Sequence, residues 1–460
     1  MVEIMNRDKI LENAESNEDR RARQIALMIL KAGVDSVDPR SIIGNRFQSK
    51  GPILQIDGLA LNLDSFQRIL IVGGGKASGG MAEALERMIG DRITEGCVNV
   101  LRGTKSLFGT QRIRLIEAGH PIPDKDGVRG ARKIVELVRD AREDDLVFCL
   151  ISGGGSALMP LPAADLTLKD KRVVTDALLK SGASIGEVNA VRKHISEIKG
   201  GRLAQMAHPA TVISLIISDV VGDPLGSIAS GPTAPDPTTF EGATEVLRRY
   251  DLWGRTPSSV RRRLLAGVRG EVPETPKPGD KVFEKVHNFI VGNNRLAMLS
   301  AGMEAKNLGL NTLLLPSSME GEARHIGTAY GGIVRDVLES DHPVPRPAVI
   351  IGGGETTVTV RGKGLGGRNQ ELVLGAALKI GGLRGTAIAS IGTDGLDWVT
   401  DAAGAIADGQ SIGRARNQGL DPREALSDNN SYHFFSTLGD LILTGSTGTN
   451  VGDLTVSVIV

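Results

Sequence analysis

In Arg68-Ile69-Leu70-Ile71-Val72-Gly73-Gly74-Gly75-Lys76-Ala77-Ser78, four apolar residues run straight into three glycines, a lysine and a serine. An apolar run this short suits a strand buried on both faces, as in a parallel sheet. The glycines let the backbone turn sharply and approach a ligand without Cβ atoms in the way. Beyond Ser78, Met81-Ala-Glu-Ala-Leu-Glu86 is rich in helix formers, so the loop opens a helix. A helix N-terminus with a lysine beside it is a ready anion site.

The same grammar recurs along the chain. Asp145-Leu-Val-Phe-Cys-Leu-Ile151 runs into Ser152-Gly-Gly-Gly-Ser156, and Thr211-Val-Ile-Ser-Leu-Ile-Ile217 lands on Ser218-Asp219 and Gly222-Asp223. In the second half, Ala348-Val-Ile-Ile351 meets Gly352-Gly-Gly-Glu355, and Ala387-Ile-Ala-Ser-Ile391 ends in Gly392-Thr-Asp394-Gly. Strands ending in Gly, Ser or Asp and alternating with helical text predict an α/β fold with a mostly parallel sheet. Ligands then sit beyond the carboxyl ends of the strands. Helices are predicted over residues 7–33, with Gly33 as a stop, and over 127–142, 167–180, 184–196 and 321–338.

With 460 residues the chain exceeds one ordinary core. Residues 271–280, Glu-Val-Pro-Glu-Thr-Pro-Lys-Pro-Gly-Asp, suit neither a helix nor a central strand and are predicted as a linker. That divides the chain into an N-terminal domain, 1–270, and a C-terminal one, 281–460. Basic and acidic residues balance at 54 each, which gives no support to binding nucleic acid or a membrane surface through bulk charge. Aromatics are only 3 %, too few for stacking platforms, whereas the 59 glycines are close to twice the usual share of ~7 %. Two cysteines give no disulfide framework and no zinc spacing. The charged N-terminus and the lack of a long apolar run predict a soluble, cytoplasmic protein.

The first loop is not a Walker A loop, because Leu70 stands where that motif needs glycine. No G-x-G-x-x-G fingerprint with a ribose-binding acid occurs either. Several glycine loops with serine or lysine at the loop–helix junction nevertheless favour anion binding over turns needed only for steric reasons. Lys76 and Arg368 are the basic residues best placed beside such loops, followed by Arg192 and Lys193. Asp219, Asp223, Asp394, Asp397 and Asp401 follow strands; carboxylates there suit Mg²⁺, which takes one or two plus phosphates and water, or simply cap turns. His120 and His194 are weaker candidates for a general base, since neither pairs visibly with a serine and an acid.

Several stretches together resemble the class II glycerate kinases with a C-terminal MOFRL domain, which make 2-phosphoglycerate with ATP. They are Gly75-Lys-Ala-Ser78, Gly119-His-Pro121, Ser152-Gly-Gly-Gly-Ser-Ala-Leu158, Val191-Arg-Lys-His-Ile-Ser196, Lys199-Gly-Gly-Arg-Leu203, Ser218-Asp-Val-Val-Gly-Asp223 and Ser230-Gly-Pro-Thr233. Gly366-Gly-Arg-Asn-Gln-Glu371, Gly392-Thr-Asp-Gly395, Thr400-Asp-Ala-Ala-Gly404 and Thr447-Gly-Thr-Asn-Val451 continue the match; Ser446 departs from it, where proline is expected. The resemblance implies a Rossmann-like N-terminal domain, a smaller α/β C-terminal domain and an active site in a cleft between them. It implies Lys76, Arg368 and Asp219 as catalytic, and Ser152, Gly153, Gly154, Ser156, Arg192 and Asn369 as substrate-binding. Gly74, Gly75, Ser78, Gly353, Gly354 and Glu355 would bind nucleotide, and Asp219 or Asp394 would hold Mg²⁺ or position the attacking hydroxyl. Which glycine loop takes nucleotide and which takes D-glycerate stays open, as does oligomeric state, a homodimer included. The rival readings are an NAD(P)H-dependent hydroxypyruvate reductase, which the missing fingerprint disfavours, and a non-catalytic sugar-phosphate sensor.

Overall fold

The apolar run Ile69–Val72 is a strand, as its continuity requires, and every residue from Ile69 to Gly74 is buried. In the computed structural model, which describes residues 2–460, it lies at the centre of one of two units. That unit is the continuous segment Pro39–Val291; the other is assembled from the residues up to Asp38 and from Gly292–Val460.

The continuous unit opens with an antiparallel meander, β1 (Phe47–Lys50), β2 (Ile53–Ile56) and β3 (Leu59–Asn62). Its main sheet comprises β4 (Arg68–Gly74), β5 (Glu95–Leu101), β6 (Ile113–Ala118), β7 (Asp145–Ser152), β8 (Thr211–Ile217) and β9 (Val286–Gly292), in the order β6-β5-β4-β7-β8-β9. Counted from β4, this is 3-2-1-4-5-6, the doubly wound order in which the chain switches sides between the first and fourth strands. The pairs β4–β5, β4–β7, β5–β6 and β7–β8 are all parallel. Leu70, Val72, Val147 and Ile151 pack against Ile134 and Val138 of the helix Lys125–Arg139. Thr167–Asp170 and Ser184–Glu187 form capping boxes that open the helices Leu168–Lys180 and Ile185–His194, within one residue of the predicted starts.

The second unit holds a mixed sheet of β10 (Asn311–Leu314), β11 (Ala348–Gly354), β12 (Thr386–Gly392), β13 (Gly404–Asp408), β14 (Leu441–Ile442) and β15 (Asp453–Ile459), ordered β10-β11-β15-β12-β13-β14. Only β10–β11 is parallel. Alternation along β11 and β12 sends Ile350 and Ile388 to one face, against Val334 and Val373. Val349, Ile351, Ala387 and Ala389 face the other side, where Ile25, Leu27, Ile29 and Leu30 cover them. Both cysteines are buried and unpaired, and among the described residues no helix is long and apolar enough to cross a membrane.

Four expectations are corrected. The helix predicted over 7–33 is two helices, Arg7–Glu12 and Asn17–Ser36, because Ser16 caps the second by accepting from the Asp19 N–H at 3.0 Å. Gly33 does not stop that helix: a Cβ there would lie 2.5 Å from a Leu454 methyl, so glycine permits close helix–sheet approach. Residues 271–280 are not a free linker. Thr275, 1 % exposed, donates to Asp236 at 2.9 Å, Asp236 N–H donates to Pro276 O at 2.9 Å, and Glu274 accepts from the Phe240 N–H at 2.8 Å. The division between units falls at Val291/Gly292, and the first 38 residues belong with the C-terminal half, not with an N-terminal domain ending at 270.

Candidate active site

The register of β4 against β7 pairs Gly74 with Ile151, so the two glycine loops leave the sheet side by side at the switch in strand order. They are bolted together. Lys76 N–H donates to Gly153 O at 2.8 Å and Ala77 N–H to Ser152 Oγ at 2.9 Å. Ser78, fully buried, donates to Leu150 O at 3.1 Å. A Cβ on Gly75 would stand 2.1 Å from Ser152 Oγ, and one on Gly74 2.8 Å from Met159. Ser152, Ser78, Gly74 and Gly75, expected as ligand contacts, are therefore the joint that sets the loops' relative position.

What the joint presents is a group of side chains around Gly153 and Gly154. A Cβ on Gly153 would fall 2.0 Å from Asp219 Oδ2; one on Gly154 would fall 3.0 Å from His120 Cδ2 and 3.3 Å from Lys76 Cγ. Lys76, Asp219 and His120, which are 44 to 143 residues apart in sequence, thus converge on one turn of backbone. A point cation, a carboxylate and an imidazole beside a half-buried turn of loop backbone can grip a transferring oxyanion and orient a hydroxyl next to it.

Next to this loop, Ser156 Oγ lies 2.7 Å from Ser230 Oγ, which donates to Asn189 Oδ1 at 3.0 Å. Ala229 and Ser230 are held at φ 51° and 62°, left-handed backbone that side-chain-bearing residues rarely adopt. Lys199 Nζ clamps Ala229 O at 3.0 Å. Arg192, in the last turn of the helix Ile185–His194, has its basicity lowered by burial, with no acid opposing the shift. Lys193 is committed to Asp236 at 3.1 Å, and His194 stands between Ala190 O and Glu274; both are structural.

The second unit carries its own cluster. Arg368 opens the helix Arg368–Ile380 and pairs with Asp453 through two hydrogen bonds, 2.7 and 3.0 Å, and with Glu355 at 2.7 Å. Burial works against its charge, but Asp453 and then Glu355 raise its basicity overall. Asn369 is buried and fully engaged: it donates to Asp453 at 3.0 Å and accepts from Ser390 at 2.6 Å. Asp397 accepts the N–H groups of Asn369 and Gln370 at 3.2 and 2.9 Å, capping the same helix. Burial pushes its carboxyl up to about 7, with neighbouring Asp453 adding to the rise. Gly353 N–H donates to Pro316 O, and Cβ atoms on Gly353 and Gly354 would collide with Asn294 and Met319. These glycines let the turn pack closely, and the Arg368–Glu355 pair belongs to the same unit. Asp394 accepts from the Leu396 N–H at 3.1 Å at the end of β12.

No group of three or more Asp, Glu, His or Cys residues poised for a metal occurs among the described residues. Two surface hollows, about 690 Å³ beside Arg102 and Arg129 and about 750 Å³ beside Gln410 and Arg416, contain no residue of either cluster. Asp453, Lys199 and the left-handed Ala229-Ser230 turn were missed in sequence. Lys199 and Ser230, each opening a motif of the resemblance, carried some signal; Asp453 and Ala229 carried none.

A doubly wound sheet with paired glycine loops and a convergent Lys–Asp–His group at its switch point defines an α/β enzyme of small anionic substrates. Residues 25–265 match the family described as a domain of unknown function (DUF4147), and residues 348–453 match the MOFRL family. A glycerate 2-kinase of Pyrococcus horikoshii is 42 % identical over 440 residues, 95 % of this chain and 97 % of that one. The crystal structure of a glycerate kinase from Thermotoga maritima superposes with a TM-score of 0.85 at 39 % identity, covering 95 % of this chain and 99 % of that one. An Agrobacterium vitis protein provisionally named as a hydroxypyruvate reductase is 41 % identical, covering 95 % and 94 %. The chain belongs to the glycerate kinase family with a C-terminal MOFRL domain.

Proposed function

We propose that the chain is a glycerate 2-kinase, transferring the γ-phosphoryl group of ATP to the 2-hydroxyl of D-glycerate to give 2-phosphoglycerate and ADP, in the cytoplasm. The observation that carries this reading is the convergence of Lys76, Asp219 and His120 on Gly153-Gly154. Phosphoryl transfer needs little covalent chemistry from the protein; it needs donors that place the reactants and cations that neutralise the spreading charge. Lys76 is the point charge on the transferring group, and Asp219 orients the 2-hydroxyl or holds Mg²⁺. Ser156 meets the acid's hydroxyls and Arg192 its carboxylate, while the Gly153-Gly154 backbone lies against the anion.

In the other unit, Arg368, Glu355 and the Gly353-Gly354 turn serve the nucleotide. Asp453, 6 % exposed, fixes the guanidinium, whereas Glu355, 46 % exposed, is the partner that a phosphoryl oxygen can replace on Nη1. A single strand-end carboxylate fits Mg²⁺, which prefers few protein ligands and several waters and phosphate oxygens. Asp219 would hold it, with Asp394 the second candidate. The ion, when bound, neutralises phosphate charge.

The test is to incubate the purified protein with ATP, Mg²⁺ and D-glycerate and follow phosphorus NMR; the expected product is 2-phosphoglycerate. Absence of any phosphoglycerate sinks the reading. Two observations favour a reductase: the strand order is also that of dinucleotide-binding sheets, and the Agrobacterium vitis relative carries a reductase name. Against it, β5 is followed by Arg102 and not by a ribose-binding acid, and Gly75 is filled by Ser152. NADH consumption with hydroxypyruvate would decide for that alternative. Ligand binding without turnover of either substrate would indicate a sensor.

A further inference from the structure

Lys171, in the first turn of the helix Leu168–Lys180, is 4 % exposed, and its Nζ has no hydrogen-bond partner among the described residues. A solvent-facing helix lysine would need no explanation; a buried, unpartnered ammonium does, because removing the charge from water is costly unless something pairs with it. Its charged neighbours are cations. Burial lowers its basicity to about 7, and Arg192 and then Arg263 add to that. Lys199, 1 % exposed, is likewise held well below the usual lysine range by burial, then by Lys171 and Arg192.

The nearby acids are already committed. Asp236 takes Lys193 at 3.1 Å and Thr275 at 2.9 Å; Glu274 takes His194 at 3.0 Å. Asp165 takes Arg263 at 2.8 Å, and the Arg263 Nε donates to His194 O. Lys171, Arg192 and Lys199 are left as three basic groups that disfavour one another's charge, with no carboxylate to offset them. The cluster adjoins the glycine loop through Lys199, whose Nζ holds Ala229 O, next to the Ser230–Ser156 hydroxyl pair.

We propose that Lys171, Arg192 and Lys199 form a cationic subsite that binds the carboxylate end of the acceptor acid, with Lys171 as a specificity-determining residue. The identity of the acid rests on the glycerate kinase reading; the need for a small oxyanion does not. An entering carboxylate supplies the missing counter-charge, and in a water-poor setting a charge-assisted hydrogen bond to it is strong. The bordering Ser156 and Ser230 hydroxyls suit a hydroxy acid over a plain one, so the subsite selects for an anionic head carrying adjacent oxygens.

The experiment compares wild type with Lys171→Met, whose side chain keeps the length and drops the charge. Steady-state kinetics should show KM for D-glycerate rising about 10-fold or more, the loss of one charge-assisted bond, with KM for ATP within about 2-fold. Without ligand the variant should melt no lower than wild type, since an unpaired buried charge has gone. In thermal shift, D-glycerate and inorganic sulfate should each stabilise wild type and have a much smaller effect on the variant. Unchanged D-glycerate KM and unchanged thermal shifts in Lys171→Met would overturn the subsite. If wild type is stabilised by both anions through Lys171 yet turns over no glycerate, the subsite stands and the kinase reading falls. Should Lys171→Met fail to fold, Arg192→Met must reproduce the selective loss of acid binding, and an unaltered D-glycerate response there also overturns it.

Discussion

At the scale of single residues, the joint between the glycine loops explains why some motif residues are expected to matter for rate and others for shape. Lys76 lies against Gly154; on the proposed kinase mechanism it neutralises the transferring group, so Lys76→Ala should lower kcat by about 100-fold or more while leaving the melting temperature nearly unchanged. Wild-type turnover in that variant removes the loop from the mechanism. Gly153→Ala acts differently. The new methyl would meet Asp219 Oδ2 at 2.0 Å, so the carboxylate must move; kcat should fall while stability drops by about 1–3 kcal/mol, the ordinary cost of overpacking. Kinetics together with a urea titration separates the two effects.

Asp397 gives a pH signature at the same scale. Burial raises its folded-state value to about 7, well above that of an unfolded aspartate near ~3.9. Between those limits the folded chain holds the extra proton, so this residue's contribution falls as pH rises from about 4 to 7. Asp397→Asn cannot ionise, and its melting temperature should vary less over that window than wild type's. Equal slopes would place the carboxyl's titration elsewhere. The glycine loops were legible in sequence because their signal is local: an apolar run and the turn residues directly after it. Lys171 and Asp453 gave no such signal, and Asp397, legible as a strand-end acid, gave no sign of its burial, because what makes all three unusual is packing among residues tens of positions away.

At the scale of elements, the capped helices were legible and the buried polar ties were not. Thr167–Asp170 and Ser184–Glu187 announce their helices through side chains three residues apart. Nothing local marks Arg23, which reads as one more charge on an amphipathic helix. It is wholly buried, 2.6 Å from Asp408 and 2.7 Å from Asp440, and donates to Ile10 O at 3.0 Å. The pairing joins the helix Asn17–Ser36 to the far end of the chain. Arg23→Met strands two buried carboxylates and should cost about 3–5 kcal/mol, read as a lowered midpoint in chemical denaturation. A neutral result would mean that the acids find other partners, of which Arg414, already bonded to Asp440, is the nearest candidate.

At the scale of the whole chain, the prolines of 271–280 misled because they forbid regular structure without forbidding tight packing. Thr275 and Glu274 are held by Asp236, Phe240 and His194, so this stretch is a strap tied down at its middle within one unit. The same misreading hid the role of the N-terminus. The helix Asn17–Ser36 covers the sheet face made by Val349, Ile351, Ala387, Ala389 and Val456, three hundred residues and more further on. Ile25, Leu27, Ile29, Leu30 and Val34 are buried there; at roughly 1.5–3 kcal/mol each they contribute roughly 7.5–15 kcal/mol, as much as the net stability of a typical domain, about 5–15 kcal/mol. A fragment of residues 281–460, the domain that the apparent linker suggests, should therefore be unfolded or aggregated. Pro39–Val291, a continuous piece with its own sheet and core, should melt cooperatively alone. Supplying residues 1–38 to the C-terminal fragment, in trans or fused ahead of Gly292, should restore cooperative melting by circular dichroism. If 281–460 folds unaided with native-like stability, the N-terminal helix is a dispensable cover and the two-piece construction of that unit is wrong.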